Sequence, residues 1–463
     1  MDNKPEFVWE GNMEVKELLN ALIIAEKLKD TTRHCYTSKG RHESVAEHSW
    51  MMTVMAFFMK NEFPNADMNK VIQMCIIHDL GECITGDIWE SKDSIIQKYK
   101  ELTSEQELFL LYATPPCQGM STNGAGTLLK GVREGNKPII DARNRLIIPT
   151  MDIVTALRPR WFLMENVPLM RNTVINDEND NYVNIIDYVC DRLGEEYKGA
   201  AQVISCSDFG IPQVRKRLIT IFTRDEYGKR YFDMFGSFIT DSDQKPTKTL
   251  RDAIGSFPAL DAVEGKNIDT VFNKYHFVPI MNPEKHWWIE NTPEGNTAYN
   301  NQCINPKCGY QLNGVHKDRQ TDGIWHSNTE TPIYCEKCGE LLPRPSMIDK
   351  KTGKRRLIKG FHSAYRRMKW DEPAPTITQN FIYEASDNKV HPSQNRVLSI
   401  YEALVIQTVA EYDYDFCVDG EIITPAMFAQ ILGESVPPKL MDIIVKKMLS
   451  IKEKVDNFMK CID

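Results

Sequence analysis

The sequence predicts an α/β fold built on a mostly parallel sheet, preceded by a helical segment and carrying a small cysteine-bearing insert. Three observations predict it. From about residue 108, the apolar runs ELFLLYA (107–113), RWFLMEN (160–166) and RLITIFT (217–223) are separated by helical or glycine-bearing stretches, the alternation of a parallel α/β sheet. Before that, Leu18, Leu19, Leu22 and Ile23, then Met51, Met52, Met55 and Phe58, recur at three- and four-residue spacing, so residues 14–110 read as helical. Third, residues 225–370 are rich in Asn, Gly, Pro and charge and hold two tight cysteine pairs, the texture of an insert.

The length of 463 residues allows two to four domains. Boundaries are expected at 10–105 for the helical part, 108–225 for the main α/β part, 226–370 for the insert and 371–463 for the returning α/β pattern. With 42% hydrophobic and 26% charged residues the composition is that of a globular protein. The longest apolar runs are far too short to span a bilayer, and the charged start MDNKPEFVWEGN lacks the apolar core of a signal peptide. A cytoplasmic protein without a membrane segment is expected. The net charge of −8 excludes a protein that coats nucleic acid by bulk charge.

The chemistry concentrates in LLYATPPCQGMSTNGAG (110–126), where an apolar strand runs through Pro115-Pro116 into Cys117. A cysteine at the carboxyl end of a parallel strand sits where α/β sheets place their ligands. The glycines at 119, 124 and 126 free the following loop to move over a substrate. A lone cysteine is most often a small core residue, so Cys117 counts only with its partners. A second strand ends in Glu165-Asn166, and Gln213, Arg215 and Arg217 stand just before a third.

From about residue 108 the chain resembles the cytosine-C5 DNA methyltransferases, on PPCQG (115–119), DARNRL (141–146), ENVP (165–168), GIPQVRKR (210–217), APTIT (374–378), NRVLSIYE (395–402) and GESVPP (433–438). The resemblance implies a Rossmann-like class I methyltransferase sheet, S-adenosylmethionine as donor and double-stranded DNA as substrate, in a restriction-modification or phage setting. It makes Cys117 the nucleophile that adds to cytosine C6. It makes Glu165 the acid that donates to N3, and Arg215 and Arg217 the groups that hold the base O2, the glutamate and phosphate while favouring a thiolate. Pro116, Asn166, Gly433, Glu434, Ser435 and Val436 are the donor-binding positions it implies. The target base must leave the stack, and the loop at 119–135 is its expected cover. The family's glycine-rich strand-to-helix turn and acidic ribose clamp are not found upstream of Cys117, so the first strands of the sheet are expected to be missing. A separate chain supplying them is a candidate partner.

In their place stand RHESVAEHSW (41–50) and CIIHDLGECITGD (75–87), which resemble the HD-domain phosphohydrolases of the 5′-deoxynucleotidase type. That resemblance implies an incomplete divalent-metal set of His48, His78 and Asp79 on neighbouring helices, with Glu82, Asp87 and Arg33 nearby. Alternatives to methyl transfer are therefore a metal-dependent nucleotidase, a DNA-binding remnant without catalysis, or a recombined reading frame.

In the insert, Cys303-x4-Cys308-Gly309 and Cys335-x2-Cys338-Gly339 have the paired-knuckle spacing of a zinc ribbon spanning 303–338. His316 and His326 are spare ligands only if a cysteine fails. The segment KKTGKRRLIKGFHSAYRRMK (350–369) carries nine Lys or Arg and no acid, and phosphate contact is its expected role.

Overall fold

In the computed structural model, the described residues are 32–36, 42–44, 88–103, 107–116, 142–321, 324–418 and 421–460. The chain divides into two compact units, one of residues 1–108, 142–158 and 177–180, the other of 109–141, 159–176 and 181–463.

Within the described residues of the first unit, β1 (Thr32–Tyr36) pairs antiparallel with β2 (His42–Ser44), followed by helices α1 (Ile88–Thr103) and α2 (Ile147–Leu157). The β1/β2 pair corrects the expectation of an uninterrupted helical run over 14–110. Thr32 and Tyr36, branched and aromatic, favour a pleated surface over a helix. It also places His42–Ser44, the front of RHESVAEHSW, on a strand. Lys92 of α1 pairs with Asp152 of α2, and Arg145, in the turn just before α2, places its guanidinium over the Trp89 ring at 5.9 Å.

The second unit is built on a four-stranded sheet of β3 (Leu110–Ala113), β4 (Trp161–Asn166), β7 (Lys198–Ser205) and β8 (Lys216–Thr223), in the order β3-β4-β8-β7. A small pair, β5 (Val174–Asn176) and β6 (Tyr182–Asn184), stands apart from it. β3 runs parallel to β4, with Tyr112 opposite Leu163, but β8 is antiparallel to both β4 and β7. The described sheet is therefore mixed rather than mostly parallel. β7 and β8 are consecutive strands joined by ten residues, a length that suits antiparallel return and leaves no room for a crossover helix. The strand KGAAQVIS has no expectation from sequence because Gly199 and two alanines blunt its pattern. Gly199 is required there, since a Cβ would lie 2.0 Å from the Ile221 carbonyl oxygen.

One face of the sheet buries Trp161, Leu163, Ile219 and Ile221 against Tyr231 and Phe232 of α4 (Glu226–Phe235), Leu440 and Ile444 of α9 (Pro438–Leu449) and Ile451 and Val455 of α10 (Ile451–Lys460). A second core joins Leu250 of α5 (Leu250–Ile254), Leu404 of α7 (Ile400–Ile406) and Phe428 and Leu432 of α8 (Pro425–Glu434) to Tyr275, Ile377 and Phe381. A third gathers Trp288 and Ile289 of α6 (Pro283–Glu290) with Tyr299 and Tyr365. The cysteine insert rests on a small cluster of Cys303, Cys335 and Leu342. Segments near 250–300 and 365–430 thus share cores although far apart in sequence. Helix α3 (Ile185–Leu193) is capped by Asn184, whose side chain accepts from the Ile186 amide.

Candidate active site

Strand β4 is buried along its whole length and ends in Glu165 and Asn166. Asn166 works entirely on the main chain: its Nδ2 donates to the Pro115 carbonyl at 2.8 Å, and its Oδ1 accepts from the Val167 amide at 2.8 Å. The backbone two residues before Cys117 is thereby pinned to the end of β4. Cys117 and the loop at 119–135 lie outside the described residues.

Glu165 lies on the same sheet face as Leu163, two residues before it on β4, and meets Arg217, whose Nε lies 2.5 Å from Oε1. The carboxyl group is buried, and burial lifts its pKa above the usual carboxylate value against the opposing pull of Arg217 and Arg215. Tyr112 shares that face across β3 and β4, and its phenol pKa is raised by burial and then by the Glu165 charge. Sequence reasoning did not single out Tyr112; its place diagonal to Glu165 follows only from the strand register. Nearby Cys206 is buried, which pushes its thiol up to about 11.

Arg215 and Arg217, two residues apart, do different things. Arg215 is 1% exposed; its Nη1 donates to the Ile377 carbonyl at 2.7 Å and its Nη2 to the Gly433 carbonyl at 2.9 Å. Gln213 is buried beside it. Its Oε1 accepts from the Ile377 amide and its Nε2 donates to Gln407 Oε1 at 2.6 Å. Gln407 in turn donates to the Ser435 carbonyl at 2.8 Å and to Ser435 Oγ at 2.9 Å. The blocks at 210–217, 374–378 and 433–438 are thus one hydrogen-bonded knot behind Glu165, and Gln407, at the end of α7, is a member that sequence reasoning missed. A buried glutamine closing a helix was the available signal.

Gly433 lies within this knot, so close to the 378–379 backbone that a Cβ would sit 2.2 Å from the Gln379 nitrogen. Glu434 is exposed and accepts from Gln379 Nε2 at 2.5 Å. Val436 is packed at the edge of the sheet core. The block at 395–402 proves structural: Arg396 donates through both Nη atoms to the Glu402 carboxylate, each at 2.7 Å. Glu402 also closes the capping box with Ser399 at the start of α7. Arg396, with the hydrogen bonds of the box, holds the Glu402 carboxyl down at about 2 against its burial.

The sulfur atoms of Cys303, Cys308, Cys335 and Cys338 all lie within 4.8 Å of one another. Each knuckle turns on a glycine with positive φ, Gly309 at +58° and Gly339 at +77°, where a side chain would strain the backbone. His316 is not among them. It is stacked on Tyr299 and bonded to Thr331 Oγ1 and the Gly360 carbonyl, a packed core histidine, as expected where all four cysteines come together; His326 is exposed on β10 (Ile324–His326), which pairs with β9 (Arg319–Thr321).

The basic run at 350–369 divides by burial. Arg367 is buried and donates to the carbonyls of Ile289, Thr292, His391 and Gln394, which corrects its expected phosphate role. Arg355 and Arg356, on β12 (Arg355–Leu357) beside β11 (Ser346–Ile348), pair with Glu284 and Asp349. Lys369 pairs with Glu372. The positions His48, His78 and Asp79 lie outside the described residues, as do Glu82 and Asp87. Among the described residues no helix is long and apolar enough to cross a membrane.

A family model described as C-5 cytosine-specific DNA methylase matches residues 67–450. Its span begins inside the stretch that the sequence analysis reads as HD-like. Among curated relatives, the type II methyltransferase M1.HgaI of Avibacterium volantium is 26% identical over 376 residues, covering 79% of this chain and 85% of the relative. The type II methyltransferase M1.BsuMI of Bacillus subtilis (strain 168) is 22% identical over 395 residues, covering 85% and 71%. A solved Entamoeba histolytica methyltransferase, EhMeth, aligns at 13% identity with a TM-score of 0.35, covering 77% of this chain and 79% of that one.

Proposed function

The chain belongs to the C-5 cytosine-specific DNA methylase family, and on that premise we propose that it is a DNA (cytosine-5-)-methyltransferase whose base chemistry is run by Cys117, Glu165 and Arg217. The observation that carries the reading is the strand-end arrangement in which Asn166 pins the Pro115 carbonyl while Arg217 holds Glu165 at 2.5 Å.

Cytosine C5 is a poor nucleophile. In the proposed mechanism the Cys117 thiolate adds to C6, and the electron pair of the C5–C6 bond moves towards C5 and N3. Glu165, its proton held more tightly than that of an exposed carboxyl group, donates to N3 and stabilises the charge that develops there. Arg217 orients Glu165. Arg215 is a positioning residue that holds the segments at 377 and 433 behind it. Once C5 carries the methyl group, water takes the C5 proton, the electron pair of that C–H bond re-forms the C5–C6 double bond, the Cys117 thiolate leaves C6 and the N3 proton returns to Glu165, which restores the ring.

S-adenosylmethionine supplies the electrophilic methyl group. The residues fit such a donor in one respect: β3 and β4 are a parallel pair, and ligands of α/β sheets sit beyond the carboxyl ends of parallel strands. Pro116 and Asn166 stand at those ends; Pro116 would line the donor's place, and Asn166, its side chain engaged with the main chain at Pro115 and Val167, would hold the backbone that shapes it. Gly433, Glu434, Ser435 and Val436 form the proposed neighbouring wall. The Gly433 and Ser435 carbonyl oxygens already accept internal hydrogen bonds, so this wall acts by shape.

The finer features of the reading are proposals on motif spacing. Residues 226–370 form the target-recognition part, with one structural zinc on Cys303, Cys308, Cys335 and Cys338. Residues 10–105 are HD-like, with a weak divalent-metal set at His48, His78 and Asp79, which phosphate release from deoxynucleotides with Mn²⁺ tests. The glycine-rich donor turn, not found upstream of Cys117, is supplied by another chain if the isolated protein transfers no methyl group. The cytoplasm, in a restriction-modification setting, is the proposed location.

The deciding assay incubates duplex DNA with labelled S-adenosylmethionine and either the wild-type chain or Cys117→Ser. Label is expected on cytosine C5 with the wild type and none with the variant. DNA carrying 5-fluorocytosine should trap a covalent Cys117 adduct. Equal labelling by both proteins would remove Cys117 from the mechanism.

A further inference from the structure

Arg344 is fully buried in the cysteine-bearing insert, at 0% exposure. Its Nε donates to the Asn301 carbonyl at 2.7 Å, and its Nη1 donates to the Gly314 and Pro332 carbonyls, both at 2.8 Å. Asn301 stands two residues before Cys303 and Pro332 three before Cys335. One guanidinium therefore ties together the roots of both knuckles. Asn301 extends the tie, its amide donating to the carbonyls of Trp288 and Pro343.

These neutral oxygens orient the guanidinium without balancing its charge. Among the described residues Arg344 has no ion pair, and its Nη2 is buried with no hydrogen-bond partner. The carboxylate that acts on it is Glu336, which follows Cys335 directly in the sequence. Glu336 is exposed, and its Oε1 accepts from the Gly314 amide at 3.2 Å. An unbalanced buried charge is costly. A divalent zinc bound by four thiolates carries a net charge of two minus, which is of the right sign and in the right place to supply the balance.

We infer that the zinc tetrathiolate of Cys303, Cys308, Cys335 and Cys338 and the buried Arg344 form one charge-compensating unit, the cluster balancing the guanidinium and the guanidinium offsetting part of the cluster's double negative charge, with Arg344 the positioning residue that fastens both knuckles to the recognition part. The inference rests on the zinc reading proposed above. Two glycine turns close the knuckles around sulfur: the Gly309 amide donates to Asn305 O at 3.1 Å and the Gly339 amide to Cys335 O at 2.8 Å. With four protein ligands the metal has no open position, so it holds structure and does no chemistry.

The experiment uses the full chain. Elemental analysis of the purified protein is expected to give one zinc per chain, lost in Cys335→Ser, and cobalt substitution should give the absorption of a tetrathiolate site. Absence of zinc and of that spectrum would overturn the zinc reading and the inference with it. Zinc retention is then measured by chelator competition in variants whose folding is checked by circular dichroism. Arg344→Lys keeps the charge and should hold zinc close to the wild-type level. Arg344→Gln keeps donors but loses the charge and should weaken retention by about tenfold or more, as changes behind metal ligands typically do. Equal behaviour of these two variants would refute the counter-charge while leaving the zinc reading intact. Should the Arg344 variants fail to fold, Glu336→Gln decides. Unchanged retention is expected, and about a tenfold loss would make Glu336, not the thiolate cluster, the group that balances Arg344.

Discussion

Replacing Gly433 by alanine tests whether the GESVPP block is held by packing or by a bound donor. The residue lies inside α8, where alanine is the better helix former by about 1 kcal/mol, so backbone propensity alone predicts stabilisation. The packing says otherwise. A Cβ at 433 would lie 2.2 Å from the Gln379 nitrogen, 2.6 Å from the Thr378 carbonyl carbon and 2.7 Å from the Gln379 Cα. All three are main-chain atoms, with no flexible side chain to swing aside. Restoring contact near 3.5 Å demands a separation of roughly 1.3 Å between α8 and the 378–379 backbone. That shift acts on the Arg215 bond to the Gly433 carbonyl, at 2.9 Å, and on the Gln407 bond to Ser435, at 2.8 Å. Overpacking costs about 1–3 kcal/mol and a weakened buried bond to a charged donor about 1.5–3 kcal/mol. Set against the propensity gain, a net loss of about 1.5–5 kcal/mol follows. Urea denaturation followed by circular dichroism should move the transition of the second unit to lower denaturant in Gly433→Ala without ligand present. An unchanged midpoint, with loss confined to S-adenosylmethionine affinity, would refute the packing argument and make the glycine a donor contact.

Two further outcomes concern ionisable groups. Glu165→Gln keeps a donor for N3 but removes the titrating acid, and turnover should fall by about 10²–10³-fold. Because burial raises the Glu165 pKa, the protonated form persists to higher pH, so the wild-type rate should fall as pH rises through that value, and the variant should lose that limb; an unaltered pH–rate profile would remove Glu165 from the proton inventory. Glu402→Gln breaks the bidentate pair with Arg396 in a fully buried setting and should cost about 3–5 kcal/mol. The Glu402 carboxyl is lowered from 4.5 to about 2, so its contribution is complete above pH 4.5 and lost as pH falls towards 2. Wild type and variant should therefore converge in stability at acid pH, and a constant difference down to pH 2 would count against the ion pair as its source.

Chemistry that depends on residue type at short spacing was legible in the sequence. A Glu-Asn pair closing an apolar strand, and a Cys-x4-Cys and a Cys-x2-Cys pair each followed by glycine, declare themselves within a dozen residues; the structure ends β4 at that Glu-Asn pair and gathers the four sulfur atoms within 4.8 Å of one another. The strand runs at 107–113, 160–166 and 217–223 were legible for the same local reason. Strand direction was not: β8 could be known as antiparallel only from its pairing with β4 and β7. Burial of charge was equally out of reach. Arg215 and Arg217 share one motif, yet Arg217 meets Glu165 while Arg215 is claimed by carbonyls at 377 and 433, more than 160 residues away. Arg367 reads as one cation in a solvated run and is instead a buried clamp on four carbonyls, and Arg344 has no signature beyond its identity. Local sequence fixes which side chains are available, whereas the partner of a long cation is whichever carbonyl or carboxylate the distant chain brings within about 3 Å, and only the tertiary structure decides that.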